Sequence, residues 1–511
     1  MLNTTSRGRA IAVASLLLLA PTLLLGAEFA VTPDVQAALD RISADSLKGH
    51  VSFLASDLLE GRNTPSAGLD IAAEYIAAQF RRAGLEPGGD DGYFETARFI
   101  EVKPNLEGFW LAVESGGRTV AVEKEKVTPG RMLAGLDVAG APLLKASAQD
   151  LADASKWTPE QVRGKVVLTE FPAFGSFAPE AIQRVQDLMR EGRENLARLK
   201  PAAVIMVMRG GFGRDATTLV DPGEPAGPPT IRVNDPELRK VYEAMQPGET
   251  GATVSLKIAA PTQEPAKLRN VVGILRGSDP ALKDTYVLVS AHYDHIGICS
   301  TGSDRICNGA DDDASGTASV MELASALAKM RERPKRSLVF IAYFGEEKGL
   351  VGSRYYGRHP IAPLEKTVAD INLEQLGRTD DSTGPQVGRV SITGFDYTDI
   401  GATFAKAGQL TGIAVFKDQA RSDSYFARSD NQALADLGIP AHTLVVAYEF
   451  PDYHRPGDEW QKLDYANMEK VDRMIAAGLL MIAGNPEPPK WNEANPKTER
   501  YVKAWKQRMG N

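Results

Sequence analysis

The 511-residue sequence predicts an α/β protein with parallel strands and a separate β-rich domain. Three observations lead to this fold class. From about residue 265 onwards, strand-like apolar runs alternate with helix-like segments, which is typical of a parallel sheet. Residues 106–262 instead contain short apolar runs separated by Gly, Pro and Asp, which indicates a β-rich block. Residues 69–85 place apolar side chains three and four positions apart and therefore predict an amphipathic helix.

The first 27 residues predict an export signal. Arg7 and Arg9 precede an apolar stretch from about Ala10 to Leu25, and small residues follow it. The stretch is shorter than the ~20 apolar residues that a membrane span needs, although an uncleaved anchor is the alternative. We therefore expect an exported protein, periplasmic or secreted, without stable membrane association after the signal is removed.

The composition narrows the classes of function. Lys and Arg number 58 against 66 Asp and Glu, and this acidic balance argues against a nucleic-acid partner. Two cysteines exclude a Cys-rich zinc module and a dense disulfide framework. No G-x-S-x-G, Walker A or G-x-G-x-x-G motif is present. The chain has six histidines, from which any histidine-based metal site must draw.

Two segments after residue 286 combine strand ends with metal-type side chains. His292 closes the run VLVSAH, and Asp294 lies two positions on, on the same side of an extended chain. Residues 311–313 are three adjacent aspartates before a helix-like segment. One helix cap needs a single carboxylate, whereas a cation would relieve the repulsion among three. For this run taken alone, helix capping and metal binding both stay open.

Three further segments complete the set. Glu346 and Glu347 end an apolar strand, and adjacent glutamates can divide metal binding and proton transfer between them. Glu374 follows a short apolar strand, and His454 lies in a loop rich in Pro and Gly. Two histidines with several carboxylates suit Zn²⁺, and five ligands with one shared carboxylate suit two metals. Metal-assisted hydrolysis is therefore the leading class of chemistry.

In sequence order, H-x-D, G-A-D-D-x-A-S-G, E-E, a strand-end acid and Y-H-x-P resemble the secreted di-zinc aminopeptidases. That family includes glutamate carboxypeptidase-like and glutaminyl cyclase-like members. The resemblance covers about residues 265–485 and also FLASD-LLEGR and AAEYIAAQFRRAGLEP near the N-terminus. It implies a mixed, mainly parallel sheet sandwiched by helices, the zinc-exopeptidase fold, with an inserted β-rich protease-associated domain matched by pattern only. The predicted segments are a signal peptide (1–27), the N-terminal part of the peptidase domain (28–105), the inserted domain (106–262), the metal-binding part (263–485) and a surface tail (486–511).

Carried over by position, the resemblance implies two Zn²⁺ ions per chain. His292 and Glu374 would hold one ion, Glu347 and His454 would hold the other, and Asp312 would bridge the two ions. The resemblance also implies a cis peptide bond between Asp312 and Asp313.

The resemblance also implies the catalytic roles. Glu346 would be the general base for a metal-bridging water, Asp294 would orient the first zinc-binding histidine, and Tyr425 is the candidate that assists the oxyanion. Two positions depart from the family pattern. Glu374 stands where Asp is usual, and Ser429–Asp430–Asn431 stands where S-D-H is usual.

Residues beside these motifs receive simpler interpretations. His295 directly follows H-x-D, and packing or surface exposure is favoured for it over substrate contact. Cys299 and Cys307 are eight positions apart, between His292 and Asp312. In an exported protein this spacing predicts a disulfide, with two free thiols as the alternative.

The sequence therefore predicts an exported zinc-dependent aminopeptidase that releases N-terminal residues from peptides through a metal-bridging water. A single-zinc glutaminyl cyclase would be distinguished by its metal content, and a carboxypeptidase-type relative by the end of the peptide it releases. A non-catalytic binding relative is disfavoured because all five ligand positions hold competent side chains.

Overall fold

The computed structural model describes residue 1 and residues 29–170, 179–209, 217–225, 227–299 and 302–510. Apart from residue 1, the predicted export signal lies outside the described residues. The α-helices of the described part are α1 (Pro33–Leu39), α2 (Ala44–Leu54), α3 (Ala67–Ala83), α4 (Ala148–Ala152), α5 (Pro159–Val162), α6 (Pro179–Leu199), α7 (Pro236–Ala244), α8 (Gly316–Ala328), α9 (Val351–Arg358), α10 (Ile400–Thr411), α11 (Asn431–Ala435), α12 (Tyr465–Gly484) and α13 (Glu499–Arg508).

The strands are β1 (Glu86–Pro87), β2 (Phe94–Ser115), β3 (Arg118–Ala121), β4 (Val127–Pro129), β5 (Leu136–Lys145), β6 (Val166–Glu170), β7 (Ala203–Val207), β8 (Thr218–Val220), β9 (Thr230–Val233), β10 (Gly248–Leu275), β11 (Tyr286–His292), β12 (Gly297–Ile298), β13 (Ile306–Cys307), β14 (Ser337–Tyr343), β15 (Thr367–Glu374), β16 (Asp380–Asp381), β17 (Gly384–Pro385), β18 (Arg389–Ile392), β19 (Ala414–Phe416) and β20 (Ala441–Val445).

The sheet that carries the predicted metal ligands is mixed and mainly parallel, with the strand order β19-β18-β20-β15-β11-β14-β10. The central strands β20, β15, β11 and β14 pair in parallel, while β18 and β10 join antiparallel at the two sides. Helices cover both faces. Val287, Val289 and Ala291 of β11 face a core shared with α8 and α12, and Leu288 faces a second core shared with α9, α11 and α13. The predicted fold class is confirmed.

The predicted amphipathic helix is α3. Its N-cap Ser66 accepts a hydrogen bond from the main-chain N–H of Leu69, and Gly84 ends it in the left-handed conformation at φ 80°. The C-terminal tail differs from the expectation of a surface segment. Trp491 and Tyr501 are buried and stack with their ring centroids 5.0 Å apart, because their aromatic surface completes the core beside α11.

The inserted block has apolar cores of its own, built from its β-strands and from α4 to α7. The predicted boundaries at residues 105/106 and 262/263 lie inside β2 and β10, which are long antiparallel partners that run through both parts of the chain. The block is more helical than expected, since α6 alone has 21 residues. Its identification as a protease-associated domain stays a prediction. Within the described residues, we find no helix with the length and apolar character needed to cross a membrane.

The buried His442 on β20 makes protein stability sensitive to pH. Its Nδ1 donates to the carbonyl of Thr393 at 2.8 Å, and its Nε2 accepts from the hydroxyl of Thr398 at 2.7 Å. Burial lowers the pKa of His442 to about 4. As the pH falls from about 6.5 to 4, this histidine becomes protonated in the unfolded chain but stays neutral in the folded chain. The free energy of unfolding therefore falls by up to about 1.4 kcal/mol per pH unit.

We expect His442→Gln to lower stability at pH 7 but to flatten this loss at acid pH, measured as unfolding free energy in denaturant from pH 7 to 4. His359→Gln, at an exposed histidine, serves as the control and should leave the slope unchanged. An unaltered slope in His442→Gln would contradict the assignment.

Candidate metal centre

The parallel strands deliver the predicted ligands to one edge of the sheet. His292 and Glu374 are the last residues of β11 and β15, and Glu346 and Glu347 follow β14 within four residues. Because neighbouring parallel strands end at the same edge, their C-terminal residues converge there. His454 reaches the same place from the loop that follows β20.

Asp312 lies at the centre of the cluster and offers its two oxygens to two different groups. Its Oδ1 lies 3.3 Å from Nε2 of His292, and its Oδ2 lies 2.9 Å from Nε2 of His454. Glu347 Oε1 lies 3.0 Å from the same nitrogen of His454. The candidate ligand atoms of His292, Asp312 and Glu374 all lie within 4.8 Å of one another. The structure thus brings all five sequence-predicted ligands together, with Asp312 common to both groups.

A sixth residue joins this cluster. His295 is fully buried, and its Nδ1 lies 3.1 Å from Oε1 of Glu347 and 3.7 Å from Oδ2 of Asp312. With His454 these residues form one group of four candidate ligands within 4.8 Å. The sequence favoured packing or exposure for His295. Strand alternation could not place it, because β11 ends at His292 and residues 293–296 have no regular secondary structure.

The aspartates beside Asp312 bind main chain. Asp313 accepts hydrogen bonds from the N–H groups of His292 (3.3 Å), Gly316 (3.0 Å) and Gln375 (3.2 Å), so one carboxylate ties together β11, the start of α8 and the end of β15. The start of α8 packs closely against β15 at Gly316. A Cβ at Gly316 would lie 2.3 Å from the carbonyl oxygen of Leu373, so only glycine fits there.

Asp311 and Asp458 form the second set of anchors. Asp311 accepts from the N–H groups of Gly377 at 2.6 Å and Arg378 at 3.0 Å. Asp458 in turn accepts from the N–H groups of Asp311 and Asp312, each through Oδ2 at 3.1 Å. The peptide bond between Asp312 and Asp313 is cis, as the resemblance implied. Both flanking aspartates of the run therefore hold ligand segments in place.

Asp294, predicted to orient His292, does so mainly through its main chain. Nδ1 of His292 donates to the Asp294 carbonyl at 3.2 Å, while the Asp294 carboxylate lies 3.6 Å from that nitrogen. The carboxylate accepts from the N–H of Glu346 and from the hydroxyl of Thr64, both at 3.0 Å. Asp294 thus links the first histidine to the predicted general base, and the ring orientation leaves Nε2 facing Asp312.

The electrostatics of the cluster favour a cation. Burial, followed by the neighbouring carboxylate of Asp312, raises the pKa of Glu374 to about 7. Burial also raises the pKa of Glu346 well above its usual range, and the carboxylates of Glu347 and Glu374 add to that effect. Metal ions beside these groups would stabilise their ionised forms and bring the pKa values back down.

Glu347 behaves in the opposite way. Burial and Asp312 act to raise its pKa, but His295 and His454 outweigh them and hold it at about 2. Nε2 of His292 is buried and has no hydrogen-bond partner among the described residues. A buried imidazole nitrogen facing carboxylate oxygens, without a hydrogen bond, is the donor arrangement that Zn²⁺ uses. The residues therefore fit a zinc centre.

A small cleft opens beside the cluster. Its lining includes Asp312, Glu346, Glu374, Gln375, Thr393, Tyr425, Arg428, Ser429, Thr443, Val445, Tyr448, Tyr453 and His454. Tyr425, the predicted oxyanion residue, lines the cleft, and its hydroxyl donates to the carboxylate of Glu449. Sequence reasoning missed Tyr453, whose ring stacks on His454 with centroids 3.9 Å apart. The Y-H pair of the Y-H-x-P motif was its only signal.

The loop between the first histidine and the aspartate run is tied at two points. It contains the predicted disulfide between Cys299 and Cys307, whose Cα atoms lie 5.7 Å apart. Arg62, from the LLEGR segment, is fully buried and donates to the carbonyls of Asn308 at 2.7 Å and Gly309 at 2.9 Å. The N-terminal segment thereby holds the main chain that leads into the metal cluster.

Comparisons with known proteins agree with this centre. Residues 270–479 match the model of peptidase family M28. The chain is 30% identical over 266 residues to a "Probable zinc metalloprotease" of Pyricularia oryzae, covering 50% of each protein. It is 33% identical over 242 residues to another of that description from Pyrenophora teres f. teres, covering 44% of this chain and 50% of the relative. The fold is similar to that of an aminopeptidase from Aneurinibacillus sp. strain AM-1, at TM-score 0.57 and 20% identity, with 87% of this chain and 95% of that chain covered.

The class that the fold and the site define is a metallopeptidase-type hydrolase. The match of residues 270–479 to the model of peptidase family M28 confirms the family resemblance seen in the sequence. The chain spans about half the length of the two curated relatives named above.

We expect Asp313→Asn to weaken metal binding without changing any ligand. The side-chain NH₂ of asparagine would face at least one of the three main-chain N–H groups that now donate to the Asp313 carboxylate. That hydrogen bond would be lost, and the segments that carry the candidate ligands would move apart. The expected loss of Zn²⁺ affinity is about 10–100-fold, the usual range for residues that support metal ligands. Competition with a chelator of known affinity measures it.

Asp150→Asn is the matched control, because that carboxylate accepts the N–H of Ser147 at 3.0 Å in the inserted block, away from the cluster. It should leave Zn²⁺ affinity unchanged. Equal affinities for wild type and Asp313→Asn would show that the carboxylate does not support the centre.

Proposed function

We propose that the protein is a zinc-dependent aminopeptidase that binds two Zn²⁺ ions per chain and releases N-terminal residues from peptides. The observation that carries this proposal is the position of Asp312, whose two oxygens face two separate groups of ligands beside an open cleft. Bound zinc would supply Lewis-acid polarisation of the scissile carbonyl and a water of lowered pKa.

The chain's own residues supply the proton transfers. Glu346 lines the cleft beside Asp312 and Glu374 but belongs to neither group of candidate ligands. Its main-chain N–H donates a hydrogen bond to the Asp294 carboxylate, and this bond fixes the backbone from which the Glu346 side chain extends. We assign Glu346 as the general base that accepts a proton from the attacking water and delivers it to the leaving amine. Tyr425 and Tyr453 both line the cleft and are our candidates for a donor to the developing oxyanion.

One observation favours a second candidate. Arg428 also lines the cleft, and its guanidinium lies 4.1 Å from the ring centroid of Tyr425. A cation there suits a substrate carboxylate, as in a carboxypeptidase-type relative. Aminoacyl amides assayed beside N-blocked peptides with free C-termini separate the two. An aminopeptidase cleaves the first set only.

We also propose that the protein is exported, to the periplasm or outside the cell. The predicted signal at residues 1–27 supports this, and so does the disulfide between Cys299 and Cys307, since disulfides persist in oxidising compartments. Cell fractionation and N-terminal sequencing of the exported protein test it, and full-length protein confined to the cytoplasm would overturn it.

Glu346→Gln is expected to lower kcat by about 100- to 10,000-fold while the zinc content stays at the wild-type level, because a glutamine cannot accept the proton. Hydrolysis of aminoacyl amides gives the rate, and metal analysis of the same sample gives the content. The matched variant Glu347→Gln should instead lose zinc. Full hydrolysis by Glu346→Gln would rule out the assigned base.

Metal analysis of the purified protein is expected to give two zinc ions per chain. Removal with a chelator should abolish hydrolysis, and added Zn²⁺ should restore it. One zinc per chain, together with cyclisation of N-terminal glutamine, would favour the glutaminyl cyclase alternative. Full hydrolysis by metal-free protein would exclude the metallopeptidase mechanism.

A further inference from the structure

We propose that His295 is a fourth ligand of the metal held by Asp312, Glu347 and His454. This metal would then have a complete tetrahedral shell of protein ligands, while the metal held by His292, Asp312 and Glu374 keeps an open position. The inference rests on the proposed two-metal centre and adds to it a residue outside the five predicted ligands.

The distances in the group lie within about 0.4 Å of those between the ligand atoms of a tetrahedral zinc, three of them shorter and one longer. Two ligand atoms that each lie about 2.0–2.2 Å from such an ion are roughly 3.3–3.6 Å apart. His295 Nδ1 lies 3.1 Å from the Glu347 oxygen and 3.7 Å from the Asp312 oxygen. His454 Nε2 lies 3.0 and 2.9 Å from the same two oxygens. The two histidines therefore face one pair of carboxylate oxygens in the same way, and a ligand role assigned to His454 applies equally to His295.

The ring of His295 packs edge-to-face against the ring of His454, with centroids 5.6 Å apart. It is fully buried, and neither ring nitrogen makes a hydrogen bond within the described residues. The main-chain N–H donates to the carbonyl of Arg62 at 3.3 Å, which fixes the backbone. Gly309 packs on the ring so closely that a Cβ there would lie 2.4 Å from Cγ of His295. The surroundings thus hold the imidazole in place with Nδ1 facing the carboxylates.

A ligand role makes the two metals unequal. Four protein ligands and no open position describe a structural zinc site, whereas three ligands and an open position describe a catalytic one. We therefore expect the metal of the His295 group to bind more tightly and exchange more slowly. The metal beside His292 and Glu374 would be the exchangeable one, and it would carry the reacting water in place of the metal-bridging water expected from the sequence.

The wild-type protein gives the first test. Metal-free protein is titrated with Co²⁺ and its visible absorption is followed, since four-coordinate Co²⁺ absorbs much more intensely than Co²⁺ of higher coordination number. We expect the first equivalent to produce an intense four-coordinate band and the second to add a weaker one. Two equal, weak bands would overturn the inference.

Variants of His295 give the second test. We expect His295→Ala to weaken the tighter Zn²⁺ site by more than about 100-fold in chelator competition, beyond the 10–100-fold range of a residue that only supports a ligand. His295→Asn separates the two roles, because its amide keeps an N–H donor near the Nδ1 position but is a poor zinc ligand. If His295 is a ligand, His295→Asn should therefore weaken Zn²⁺ binding at the tighter site as much as His295→Ala does. His292→Ala is the matched control for the other site and should leave the intense band in place.

The outcomes separate the inference from the proposed function. Wild-type affinity and an intense band in His295→Asn would make His295 a hydrogen-bond donor to Glu347 and overturn the ligand role, while two bound metals would leave the proposed function standing. A wild-type protein that binds fewer than two metals would overturn both. Melting curves of the metal-free proteins show whether His295→Ala still folds, and the wild-type Co²⁺ spectrum and His295→Asn decide the question if it does not.

Discussion

The metal centre depends on buried carboxylates that accept main-chain N–H groups. In the run 311–313, only Asp312 faces the ligands of both groups, and the residues on either side fasten the ligand segments to each other. Asp458 then fastens the run itself. Each ligand arrives from a different strand end or loop, so without these bonds no single element would fix the distances between the ligand atoms. Of the three adjacent acids, which repel one another in an extended chain, Asp311 and Asp313 become anchors because each accepts hydrogen bonds from a different set of main-chain N–H groups.

Burying so many carboxylates couples metal binding to folding. A buried carboxylate is costly unless hydrogen bonds or cations compensate it. Asp313 and Asp458 have main-chain donors, yet burial still raises the pKa of Asp458 to about 7 and that of Asp313 well above its usual range. Bound cations would offset the part of the burial cost that the hydrogen bonds do not compensate, so metal binding is expected to stabilise the folded chain.

The five candidate ligands could be predicted because each lies in a recognisable motif. His292, Glu347 and Glu374 lie at or shortly after the ends of parallel strands, which meet at one edge of the sheet, whereas Asp312 and His454 lie outside the strands. His295 could not be predicted, because it follows β11 in a stretch without regular structure that strand alternation does not describe. The helix α6 and the buried Trp491 were missed for different reasons. The segment of α6 does carry apolar residues at helical spacing, among them Val185, Leu188 and Leu196, but it was included in a block interpreted as β-rich. Trp491 lies in a polar segment, and its burial depends on packing against the rest of the chain, which leaves no local pattern in the sequence.

The charges of the centre explain why an extra ligand would be a histidine. When ionised beside bound metal, the candidate ligands Asp312, Glu347 and Glu374 and the proposed base Glu346 would carry four negative charges, which equals the charge of the two proposed Zn²⁺ ions. A further carboxylate at position 295 would leave a buried excess of negative charge next to groups whose pKa values burial already raises. A neutral imidazole adds a ligand without adding charge. Glu346 can then stay ionised as a base while the shell of the metal beside it is completed.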